Sequence, residues 1–169
     1  MIVRLTWDDI RLAVHEAAIR SINAKKKNIR PAYGMSPNFF EGLRIDCMGC
    51  MGEIAAAKGL NLFWSGQHEI HSPDVGGRIE VKTIDSPTKN LIVHPTSKND
   101  AEFSLLAQIN SVSTVELVGW IRTSEGRRPE YVFEGRPGHQ IYLVPRAKLY
   151  PIDALGEELF KTHFKVAAE

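Results

Sequence analysis

Ser72-Pro73-Asp74-Val75-Gly76-Gly77-Arg78-Ile79-Glu80-Val81-Lys82-Thr83 is the stretch on which the reading of the fold turns. Gly76-Gly77 separates two segments of strand character and supplies a hairpin turn. Asp74 falls at the end of the first segment, beside the turn. Glu80 and Lys82 lie two apart on the second, and therefore on one face together with Arg78. An apolar strand would not carry those charges on one face unless the face were solvated or formed a site. A plain two-residue turn would set Asp74 opposite Ile79 and point its carboxylate to the other face. A shared site requires Asp74 opposite Arg78, with residues 75–77 as a three-residue loop, or else a bulge. Glu80 is then a diagonal neighbour, roughly 7–8 Å away.

Upstream, residues 45–58 read as a helix containing Cys47, Met48, Gly49, Cys50, Met51, Gly52 and Glu53, with Gly59 as its stop. Two interior glycines each cost about 1 kcal/mol relative to Ala, so close packing should compensate. Gly49, Gly52 and Ala56 predict a small-residue strip lying against a sheet, with Glu53 beside it and projecting toward the sheet. Further upstream, Thr6 followed by Asp8 and Asp9 is an N-cap signal. Ile10, Ala13, Val14, Ala17, Ala18 and Ile22 then recur at helical spacing to about residue 28. Pro31, Gly34, Pro37 and Asn38 mark a loop.

Downstream, strands are predicted at 78–84, 91–94, 103–110, 114–123 and 140–145, with one more at 68–74 ahead of the glycines. Leu155, Leu159, Phe160 and Phe164 suggest a final helix after Pro151. Two helices followed by a mostly antiparallel sheet is an α+β layout. No internal repeat is visible, so residues 1–169 read as a single domain.

Composition narrows the function classes. The 169 residues carry 21 Lys plus Arg against 20 Asp plus Glu, a net charge of +1. Nucleic-acid binding by bulk positive charge is thereby excluded, although a local patch is not. Lys25-Lys26-Lys27 with Arg30 is the clearest such patch, and its plain alternative is a solvated helix end favoured by the helix dipole. No apolar run approaches the roughly 20 residues of a membrane span. An early acidic N-terminus and only two cysteines make the cytoplasm the expected compartment. Cys47 and Cys50 have zinc-knuckle spacing but lack a second ligand pair. A redox pair would need a strand leading into it, and residues 39–45 do not read as one. His68, His71 and His94 are explained by packing or surface exposure, and Met48, Met51 and Ile54 read as core. Gly76-Gly77 lacks the following helix and lysine of a phosphate loop.

Two carboxylates and an ammonium held together suit metal-assisted phosphodiester hydrolysis. Pro73-Asp74, then Glu80-Val81-Lys82, preceded by a helical Glu53, resembles the PD-(D/E)xK nuclease superfamily across about residues 45–123. Over its whole length the pattern is similar to small phage- or prophage-encoded members. The resemblance implies a restriction-endonuclease-like, α/β/α-like fold: a mixed central sheet with an antiparallel meander, flanked by helices. Residues 1–30 would then form an N-terminal helix, 45–146 the catalytic core and 151–169 a helical tail. It implies Asp74 and Glu80 as metal ligands, with the Val81 carbonyl completing the shell and Glu53 as the helical acid able to join them. Lys82 would orient or activate water. Mg²⁺ is the implied ion, Mn²⁺ a substitute, and DNA the implied substrate, with Lys25, Lys26, Lys27 and Arg30 as backbone contacts. The five residues between Asp74 and Glu80 are a short spacing for the family. The alternative is a non-catalytic nucleic-acid-binding or phage assembly module on the same fold. Monomer and homodimer both stay open.

Overall fold

A computed structural model describes residues 1–29, 37–64, 66, 72–95, 101–136 and 139–166. Its elements in chain order are β1 (Ile2–Arg4), α1 (Trp7–Lys26), α2 (Phe39–Leu60), β2 (Ile79–Ile84), β3 (Leu91–Val93), β4 (Phe103–Ser111), β5 (Thr114–Arg122), a single turn α3 (Thr123–Gly126), β6 (Val132–Arg136), β7 (His139–Val144) and α4 (Ile152–Val166). The α+β layout holds, with helices beside mixed sheets. Among the described residues no helix is long and apolar enough to cross a membrane.

The two leading helices form an antiparallel hairpin. Thr6 caps α1 in a full capping box with Asp9. Asn38 and Glu41 do the same for α2, which begins at Phe39 rather than at 45. Lys58 reaches Asp9 at 2.7 Å, and Ser21 donates to Asp46 at 2.5 Å, fixing the hairpin near both ends. Gly59 does not stop α2. The helix runs one residue further, and Asn61, in the left-handed conformation at φ 53°, caps it. The buried stripe of α1 is Ala13, Ala17, Arg20 and Ser21. Val14 and Ile22, expected inside, are 49% and 43% exposed.

Strands β1, β5, β4 and β2 form one sheet in that order, with β2 at its edge. β4 pairs antiparallel with β5, and β5 with β1, but β2 runs parallel to β4, Ile79 beside Phe103 and Ile84 beside Gln108. The expected meander is therefore broken. After β2 the chain leaves through residues 85–90, and β3 joins a second sheet, ordered β3-β7-β6. Leu91 and Val93 explain that departure, because both are buried with Val144 of β7 against Ile84 and Leu106. The strand expected at 68–74 is not one where it is described. Residues 72–74 are bends or irregular, only Val75 bridges, and residues 67–71 lie outside the described part. β1 and β6 are additional to the strands expected.

Helix α2 packs on the sheet because Gly52 lacks a side chain. A Cβ there would lie 2.0 Å from Thr83 Oγ1. Gly49 has no such role, since its Cβ would meet only Glu53 Oε1, at 3.9 Å. Ile79 and Val81 share a core with Met51 and Ile54 of α2, whereas Ile84 packs with the second sheet. Side chains alternate along a strand, so Ile79, Val81 and Thr83 face α2, and Glu80 and Lys82 face the other way.

Candidate active site

Strand β2 and the turn before it build the site. Val75 and Ile79 exchange both backbone hydrogen bonds at 3.1 Å, and Arg78 N–H donates to Val75 O at 3.2 Å. The loop is thus three residues long, 76–78, one position later than the register anticipated. Gly76 and Gly77 make it possible, at φ 58° and 68°. With Val75 opposite Ile79, Asp74 lies directly across from Glu80 rather than diagonal to it, on the same face.

The backbone of β2 sets the next feature. Arg78 O accepts from Glu102 and Phe103 N–H, toward β4, so Ile79 and Val81 direct their polar groups to the outer edge. A continuing ladder would pair Val81 with Pro73. Instead the Asp74 carboxylate takes the Val81 N–H at 2.7 Å. The Val81 carbonyl is directed to this same edge.

Lys82 Nζ lies 2.5 Å from Glu80 Oε1. Asp74 is pushed up to about 7, first by burial and then by the Glu80 and Glu53 carboxylates. The Val81 N–H and the Lys82 charge pull the other way and do not offset this. Asp74 therefore sits in a local excess of negative charge that a proton or a cation relieves.

Glu53 has a different environment. It is 5% exposed and lies on the α2 side of the sheet. Arg20 of α1, 9% exposed, makes two parallel bonds of 2.7 Å to its two oxygens. Trp64 Nε1 donates to Oε2 at 2.8 Å. Burial works against the Arg20 charge, but the bond and charge of Glu53, with smaller contributions from Cys50 and Asp74, together outweigh it and hold the guanidinium above its ordinary range. Trp64 also pairs through its backbone with Val75, and Gly76 N–H donates to Phe63 O at 3.0 Å. The Glu53 network is thus tied to the segment that carries Asp74.

Arg20 and Trp64 are absent from the residues proposed from sequence. For Arg20 a signal existed: it continues the Ala13–Ala17 stripe at helical spacing, and a buried charge needs a partner. Trp64 belongs to no periodic segment and gives none. His94 is a third addition. It follows β3, its imidazole is pushed down to about 4 by burial and then by the Lys82 charge, and its carbonyl accepts from Arg127 Nε at 2.9 Å.

The remaining expected residues separate from this group. Lys25, Lys26 and Lys27 are exposed at the C-terminal end of α1, and Arg30 lies outside the described residues, as do His68 and His71. Cys50 is fully buried and burial pushes its thiol up to about 12, while the half-buried Cys47 is also raised. Among the described residues no three His, Cys, Asp or Glu side chains converge as a ligand set. The donors on the β2 edge are Asp74, Glu80 and the Val81 carbonyl, all hard oxygens. That set fits Mg²⁺, which takes one or two carboxylates and keeps several waters.

Comparisons of the chain with protein-family models, with curated proteins and with solved structures find no match.

Proposed function

We propose that the chain is a metal-dependent nuclease that hydrolyses phosphodiester bonds of DNA. The observation that carries the reading is the register of the turn, which sets Asp74 across from Glu80 with Lys82 beside it. Asp74, Glu80 and the Val81 carbonyl would hold Mg²⁺, with Mn²⁺ as a substitute. The bound ion supplies a Lewis acid and a water of lowered pKa. Asp74 is oriented for this role by the Val81 N–H, which fixes one of its carboxylate oxygens. Lys82 places an ammonium where charge develops on the scissile phosphate, and its partner Glu80 keeps it extended along that face. His94, neutral at ordinary pH, adds no charge to the pocket. The cytoplasm is the proposed compartment.

A non-catalytic nucleic-acid-binding or assembly module is the second reading. The internal pairing of Glu80 with Lys82, and of Glu53 with Arg20, favours it, since paired charges can be purely architectural. Incubation of the purified chain with single-stranded, duplex and branched DNA, under Mg²⁺, Mn²⁺ or EDTA, separates the two. The nuclease reading expects cleavage of at least one substrate with either ion and none with EDTA. Binding without cleavage under every condition selects the module.

A further inference from the structure

Glu53 has little left to offer a metal. Oε1 accepts from Arg20 Nη1, and Oε2 accepts from both Arg20 Nη2 and Trp64 Nε1, so three of its roughly four lone-pair directions are taken. We infer that Arg20 stands in for a second cation: its guanidinium holds Glu53 out of the metal shell, so the chain takes one divalent ion rather than two. The inference rests on the proposed metal site at Asp74 and Glu80 and deepens it.

Four observations support it. The donors fall on two sides of one strand, Asp74 and Glu80 sharing the face turned away from α2 and Glu53 approaching from α2. The fork of Arg20 matches a carboxylate bidentately, a geometry that a single ammonium would not reproduce. Charge balance agrees as well. Ionised Glu53, Asp74 and Glu80 face Arg20 and Lys82, which leaves one net negative charge. One divalent ion reverses that sign, and a second would accumulate positive charge in a largely buried place. Releasing Glu53 to a metal would also strand Arg20, whose Nε already lacks a hydrogen-bond partner.

Mn²⁺ titration of the full chain, read by calorimetry and by the electron spin resonance of free Mn²⁺, tests this without any activity assay. The wild type should bind one Mn²⁺ per chain, and Asp74→Asn should lose it. The double variant Arg20→Gln/Glu53→Gln removes both charges together and leaves the net charge of the site unchanged. It should keep one Mn²⁺ with affinity within about threefold of wild type, less than the roughly tenfold or greater loss common for groups that support a metal directly. Arg20→Gln alone frees Glu53 and should admit a second, weaker ion. Two ions per wild-type chain, or loss of binding in the double variant with its circular dichroism intact, overturns the inference. If the double variant does not fold, the wild-type stoichiometry alone decides. Absence of any Mn²⁺ bound to wild type overturns the metal site itself, and this inference falls with it.

Discussion

Glu53 and Asp74 are both carboxylates held out of bulk water within one stretch of packing, and their surroundings could hardly differ more. Glu53 accepts three hydrogen bonds, two of them from one bidentate guanidinium, and belongs to the joint between α1, α2 and the Trp64 segment. Asp74 receives one backbone N–H, and burial, followed by the Glu80 and Glu53 carboxylates, pushes it up to about 7. The first arrangement is complete within the chain, whereas the second is completed only by added positive charge. Burial alone therefore does not mark a functional acid. Whether the charge is already balanced does.

The comparison can be broken most sharply by truncation at the edge of β2. Asp74→Ala and Glu80→Ala should each abolish Mg²⁺-dependent cleavage, a loss of at least ~10³-fold, about 4 kcal/mol of transition-state stabilisation. Their circular dichroism should match wild type. Cleavage at the wild-type rate by both variants ends the nuclease reading.

Arg20→Met should do the opposite, unfolding the protein more easily rather than disarming it selectively. It leaves Glu53 buried and unpaired, at a cost of about 3–5 kcal/mol, read from the urea midpoint. A midpoint unchanged from wild type would mean that the pair contributes nothing to the helix hairpin.

Lys82→Ala should lower turnover roughly 100-fold while shifting Mg²⁺ affinity much less, since its charge acts on the transition state. Lys82→Arg should rescue only in part, because a planar fork replaces a point charge. Equal losses in turnover and metal affinity would assign Lys82 to holding Glu80.

Asp74→Asn sharpens the contrast through stability. Its folded pKa of about 7 stands above the unfolded value near 3.8. The native state therefore binds more protons in between, and stability without metal falls as pH rises from about 4 to about 7. Asp74→Asn removes that loss while keeping an acceptor for the Val81 N–H. At pH 8 in EDTA it should be more stable than wild type by about 1–3 kcal/mol. Glu53→Gln under the same conditions should be less stable. Both variants moving in the same direction would erase the distinction between the two acids.

The smallest effect belongs to the lysine run. Replacing Lys25, Lys26 and Lys27 together should weaken DNA binding across all sequences and flatten its salt dependence. Unchanged affinity and slope return the run to a solvated helix end.

The grouping of the β2 acids is legible in the sequence, the contrast with Glu53 is not, and the illegible parts have physical reasons. The Gly-Gly turn and the alternation in β2 placed Asp74, Glu80 and Lys82 together, but not their register. A three-residue loop can close one position earlier or later, and the choice falls to Val75 and Ile79, whose side chains seek the α2 core. The capping box of Asn38 and Glu41 announces the true start of α2, yet Phe39, Phe40 and Gly42 blur its periodicity. β1 is only three residues long and gains its identity from β5. The parallel pairing of β2 with β4 spans a crossover through the second sheet, which no local pattern encodes. The partners of Glu53 were hidden for a related reason, since Arg20 is 33 residues away in the chain and meets it only through the hairpin.

The central claim is that the edge of β2 is built to receive a divalent cation. The unfolding midpoint of wild type and of Asp74→Asn, measured at pH 8 across a Mg²⁺ titration, tests it most directly. Binding to the native state alone should raise wild-type stability by about 2.7 kcal/mol at a hundred times the dissociation constant. Asp74→Asn should begin more stable and respond little, so that the two curves cross. A wild-type midpoint indifferent to Mg²⁺, or an equal rise in both proteins, would contradict the account.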